Sequence, residues 1–96
     1  MWHPQDRTVP TNEQMLAVIE WTGNQFLAKA DASYWPIEDQ RRAVYFEKQL
    51  PHLRQMYRAA KAGDRLAVCC IFRQSFTKTF DCRRLEAAVS AWETEL

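Results

Sequence analysis

The sequence predicts an all-α domain, a small bundle of four to five helices around one core. Three observations carry that expectation. Apolar residues recur at a 3.6-residue period over long stretches. Helix punctuation is present, with Thr11-Asn12-Glu13-Gln14 reading as a capping box and Gly63 as a left-handed terminator. The two-residue Asn-Gly, Asp-Gly or Gly-X turns that announce hairpins do not interrupt the ambiguous stretch near the C-terminus.

Taken in order, residues 1–10 carry Pro4 and Pro10 and read as an extended N-terminal arm, because proline disfavours helix at the preceding residue. From Thr11, a helix of about twenty residues aligns Met15, Leu16, Val18, Ile19, Thr22, Phe26, Leu27 and Ala30 on one broad face, with Trp21 off it. Asp31 to Trp35 connects to a second helix whose first turn suits Pro36. Its stripe is Ala43, Phe46, Leu50, Leu53, Tyr57 and Ala60, and it passes through Pro51 in phase, which favours one kinked helix over two. Ile37 and Val44 lie on the opposite side.

Residues 64–80 are open to two readings. Asp64 is placed to cap a helix with Cys69, Phe72, Phe76 and Phe80 in a stripe, yet Leu66 to Phe72 is a continuous apolar run and Phe76 to Phe80 alternates like a strand. Helix is the expectation, and an α+β fold with a short hairpin within 66–80 is the alternative. Asp81 is expected to cap a last helix with Leu85, Ala88, Val89, Trp92 and Leu96 on one face.

Composition narrows the function classes. With 47% apolar and 26% charged residues, the 96-residue chain is globular rather than disordered. Its two glycines exclude collagen-like sequence. No apolar run approaches the ~20 residues of a membrane span, and Met1-Trp2-His3-Pro4 lacks the order of a secretory signal. Three cysteines, Cys69, Cys70 and Cys82, are odd in number and form no CxxC, so reduced thiols in a cytoplasmic protein are expected, with no zinc site and no cofactor.

Catalytic constellations are missing as well. Cys82 precedes Arg83-Arg84 near a helix start, a setting that lowers a thiol pKa in principle, but no base accompanies it. His52 and the Glu38-Asp39 pair read as surface or first-turn residues. The charge is uneven: residues 1–48 hold five basic and seven acidic groups, residues 49–96 eight and five, and Arg54 to Arg84 alone carries eight cations against Asp64 and Asp81. Arg54, Arg58 and Lys61 form one helical ridge, and Arg65, Arg73, Lys78, Arg83 and Arg84 are candidates to extend it. A small nucleic-acid-associated regulator using this 54–84 segment is the alternative function. Against it, the helix that would read a groove begins Arg65-Leu66-Ala67-Val68-Cys69-Cys70-Ile71-Phe72, too apolar to face base edges.

Twelve per cent aromatic residues, four of them Trp, exceed what so small a core absorbs, and large rings anchor interfaces. The candidate protein interface is Trp21, Tyr34, Trp35, Phe72, Phe76 and Phe80, with Arg54, Arg58 and Lys61 steering an acidic partner. Replacing Trp35 or Phe76 is expected to weaken binding more than replacing Arg58, and a homodimer is a further expectation. The helix from Thr11, the Tyr34-Trp35-Pro36-Ile37-Glu38 break and the Leu50-Pro51-His52-Leu53 join before Ala62-Gly63-Asp64 together resemble the QslA-like anti-activators of bacterial quorum sensing. That resemblance implies a non-enzymatic protein that binds a LuxR-type transcription factor and blocks its dimerisation and DNA binding.

Overall fold

The computed structural model describes residues 1–96 and is all-helical, with four α-helices and no strand. These are α1 (Asn12–Lys29), α2 (Arg42–Lys61), α3 (Arg65–Ser75) and α4 (Arg83–Glu93), with short 3-10 turns before α1, between α1 and α2, and before α4. The helical reading of 66–80 therefore holds over its first part, and the hairpin alternative does not. Packing is most extensive between α1 and α2, then between α2 and α3, and α4 closes against α3 and α1. The molecule measures 43 × 25 × 20 Å.

Local chemistry explains the helix ends. Thr11 Oγ1 accepts from the Gln14 amide at 3.1 Å while the Gln14 side chain accepts from the Thr11 amide at 2.9 Å, so two orphan donors at the start of α1 are satisfied. Gly63 takes φ 74°, where a side chain is disfavoured, and it turns the chain out of α2. Asp64 then accepts from the Ala67 amide at 3.0 Å and starts α3. The helix α2 runs unbroken through Pro51.

One core cluster takes side chains from every helix. Phe26 meets Phe46 edge-on at 5.0 Å between ring centroids, and Phe72 stacks on Phe76 at 4.9 Å. Trp92 is fully buried, and its indole donates to the Pro10 carbonyl at 2.7 Å, so its polar edge is satisfied at no loss of apolar contact. Thr22, the one buried polar residue, donates back to the Val18 carbonyl at 2.8 Å. The expected stripes supply most of this core, but Leu27 and Leu96 are each 61% exposed. Met56, absent from the expected α2 stripe, is fully buried.

Four expectations need correction. The first ten residues are not an extended arm: His3 and Asp6 cap a 3-10 turn at Pro4–Asp6, Arg7 reverses the chain at φ 55°, and Trp2 is buried with its indole donating to the Thr8 carbonyl. Burial of Trp2 and Pro10 pulls the segment onto the bundle. Pro36 opens a separate turn at Ile37–Asp39 rather than the first turn of α2, which begins at Arg42. The α3 helix stops at Ser75, where Phe76 turns to non-helical backbone at φ −110° and ψ 89°, so the stripe does not run on to Phe80. Finally, Asp81 caps nothing; it sits inside the 3-10 turn Phe80–Cys82, and no side chain caps α4.

Candidate functional site

The end of α3 divides the expected aromatic ridge. Phe72 and Phe76 are buried and belong to the core, which removes both from the candidate interface. Phe76 closes α3 with non-helical backbone, so the four-residue spacing no longer aligns the next ring with it, and Phe80 stands 74% exposed. Replacing Phe76 therefore reports on folding, not on binding.

The remaining rings come together from distant parts of the chain. Trp21 on α1 and Phe80 line a cleft of about 350 Å³ with His3, Asp81 and the start of α4. Arg84 lies 4.5 Å over the Trp21 ring and Arg83 4.8 Å over Phe80, so each guanidinium covers an aromatic face. On the other side of Asp81, Trp35, Arg42, Tyr45 and Lys78 line a second cleft of about 330 Å³. Asp81 borders both clefts, so they adjoin at that residue.

Trp35 is the fixed point of that face. Its indole donates to the Lys29 carbonyl at 2.8 Å, and its ring stacks on Phe46 at 5.7 Å. Tyr34 meets it edge-on at 5.0 Å and is 55% exposed. Arg42 lies 5.4 Å from the Trp35 ring. Tyr45 donates to the Lys78 carbonyl at 3.3 Å, and burial, followed by the nearby Cys82 and Asp81, holds its phenol pKa above the ordinary value. The phenol therefore stays a neutral donor.

The electrostatics of the basic segment are less uniform than the sequence implies. Arg73 is bound by Glu86 at 2.6 Å and by Glu93 at 2.6 Å, which ties α3 to α4. Arg65 donates to the Asn12 side chain at 2.9 Å and covers Trp92 at 4.6 Å. Arg54, Arg58 and Lys61 are exposed on α2 and take part in none of the three ion pairs. They lie apart from the aromatic face, and Arg54 instead borders a groove between α1 and α2.

The two buried thiols are poor nucleophiles. Cys82 is buried, and desolvation, reinforced by Asp81 and Glu86, pushes its thiol up to about 12, the opposite of what a helix start does to an exposed cysteine. Burial likewise raises the Cys69 thiol, which lies 3.9 Å from the Val89 carbonyl. Cys70 is exposed, and all three are free. No three His, Cys, Asp or Glu side chains converge as metal ligands, and no helix is long and apolar enough to cross a membrane.

Sequence reasoning missed Arg42 and assigned Arg83 and Arg84 to the basic ridge, whereas all three lie over aromatic rings. They acquire that role only from rings that the fold brings beside them. It also placed Leu27 in the core, next to Phe26, whereas Leu27 points outward beside Gly23 on the α1–α2 groove. The outward Leu carries no local signal that separates it from a core Leu. Comparison with known proteins places no constraint on this geometry: no family model, curated protein or solved structure matches the chain.

Proposed function

We propose that this protein is a non-enzymatic interaction module that docks another protein on the face built by Trp21, Phe80, Tyr34 and Trp35. The observation that carries the reading is the meeting of the two aromatic clefts at Asp81, with Tyr34 and Phe80 exposed, Trp21 and Trp35 half-buried, and arginines laid over the rings. Rigid aromatics bury area at low entropic cost, and Arg is the charged residue most often found among hot spots. Lys29, Arg42, Lys78, Arg83 and Arg84 lie around the rings, and Asp31, Asp39 and Asp81 are acids of the same region, so the fitting partner presents apolar groups with carboxylates opposite the arginines. The resemblance to quorum-sensing anti-activators gives this reading a specific form: binding to a LuxR-type transcription factor at the surface it needs for its own dimerisation.

The test pairs the intact chain with its Phe80→Ser and Trp21→Ser variants in a pull-down from bacterial lysate at two salt concentrations, with nuclease. One stoichiometric protein partner retained at high salt and lost with either variant is the expected result. A LuxR-type receptor as that partner establishes the specific form. Capture of nucleic acid alone, released as salt rises, overturns the proposal in favour of the basic segment.

A further inference from the structure

The groove between α1 and α2 lies away from the aromatic face and does not depend on the reading above. Ile19 and Leu27 of α1 line one side, Leu50, Leu53 and Tyr57 of α2 the other, around a volume of about 330 Å³. Gly23 forms its notch: a Cβ built there meets nothing within 4 Å. Glycine inside a helix costs about 1 kcal/mol relative to alanine, and no close packing inside the chain requires it here. What its missing side chain leaves is room for an incoming backbone or side chain, flanked by Leu27 at 61% exposure.

The charge around the groove selects the occupant. Arg54 lines it, Arg58 and Lys61 continue the same ridge, and none of the three is ion-paired. Lys61 lies 5.8 Å over the Tyr57 ring, which keeps it at the groove's edge. Glu20 lines the α1 wall, so the lining holds one charge of each sign, and the unpaired cations gather on the α2 edge. An acidic helix edge laid along α2 pairs with those cations. Two packed helices leave a furrow that a third helix fills at the usual spacing of about 8–10 Å.

We infer that the α1–α2 groove is a docking site for an amphipathic helix of a partner protein, its leucine-rich face set over Gly23 and an acidic edge along Arg54, Arg58 and Lys61. This is recognition by a helix laid in a groove, with apolar anchors spaced at i, i+3, i+4 and i+7.

The test uses a synthetic helical peptide of about 18 residues with leucines at those anchor positions and glutamates on the one edge that faces α2, against a twin with lysines on that edge. Anisotropy gives affinity, and backbone amide shifts give location. The glutamate peptide is expected to bind at least about tenfold more tightly than its twin, with shifts centred on Gly23, Leu27 and Arg54. Combined Arg54→Glu and Arg58→Glu reverses the preference. Gly23→Leu fills the notch and abolishes binding without lowering the melting temperature, and Leu27→Lys provides a second, fully exposed disruption. Equal affinity for both peptides, no binding, or shifts confined to the Trp21 and Phe80 region overturns the inference. So does a dimer of the free chain that Gly23→Leu dissociates, which assigns the groove to a second copy.

Discussion

Phe72 and Phe76 share a four-residue spacing with Phe76 and Phe80, yet the first pair stacks inside the core and the last ring stands in solvent. The difference is one of backbone. Spacing places side chains on a common face only while the helix lasts, and here it ends at Ser75. Phe80 then takes its direction from the 3-10 turn before α4 and joins Trp21, a residue 59 positions away in sequence. An identical residue at an identical interval thus serves folding in one place and presents a surface in the other. Substitution separates the two most widely. Phe76→Ala is expected to cost about 3–5 kcal/mol in urea-induced unfolding, and Phe80→Ser less than about 0.5 kcal/mol. Partner capture is expected to respond in the reverse order, after correction for the unfolded fraction. Equal losses of stability would merge the two regions into one core.

The same backbone argument explains what was legible beforehand. Wherever a local side chain fixes a helix end, as Thr11 and Gln14 do for α1 or Asp64 for α3, the sequence carries the information within four residues. Gly63 carries it in one. The end of α3 has no such mark: β-branched residues stand inside the helix at Val68 and Ile71 as well as beyond it at Thr77 and Thr79, and periodicity alone carries straight through. The first ten residues fail for another reason. Two prolines describe local backbone well, but the burial of Trp2 and the bond from Trp92 to Pro10 are long-range events with no local mark. The aromatic face sits between these cases. Its rings are conspicuous in the sequence, while the arginines laid over them belong to different helices and become partners only in the fold.

Trp35 sharpens the comparison because it belongs to both regions. Its ring stacks on the buried Phe46, and its indole is tied to the Lys29 carbonyl, while Arg42 and Tyr34 meet its outer side. An aromatic pair contributes about 0.5–1.5 kcal/mol beyond area burial, and a lost hydrogen bond about 1 kcal/mol. Trp35→Ser is therefore expected to destabilise by about 2 kcal/mol, between Phe76→Ala and Phe80→Ser, and to weaken partner capture as well. Trp35→Phe keeps the stack and loses the bond, so it is expected to recover binding before it recovers full stability. A Trp35→Phe protein that is fully stable yet does not bind would mean that the indole N–H, rather than the ring, faces the partner.

The smallest effect concerns two arginines in contrasting company. Arg73 is bound to Glu86 and Glu93, while Arg84 rests on the Trp21 ring beside Met1. The bond from Arg73 holds the Glu93 carboxyl below its ordinary value of 4.5. A depressed carboxyl contributes stability that is fully present above the unfolded value and is lost as the pH falls through the folded one. Both side chains of the pair are more than a third exposed, so screening limits the contribution to about 1 kcal/mol at most. Arg73→Met is expected to lose that amount at neutral pH, to lose less as the pH falls below the ordinary glutamate range, and to lose less in high salt. Arg84→Met has no carboxylate to release, so its small cost is expected to stay constant across the same titration. Parallel pH–stability curves for the two variants would place Arg73 with Arg84, as packing against the surface rather than as the ionic tie between α3 and α4. Divergence below the ordinary glutamate range assigns charge to one region and ring contact to the other, the same division that separates Glu93 from Trp21 in the fold.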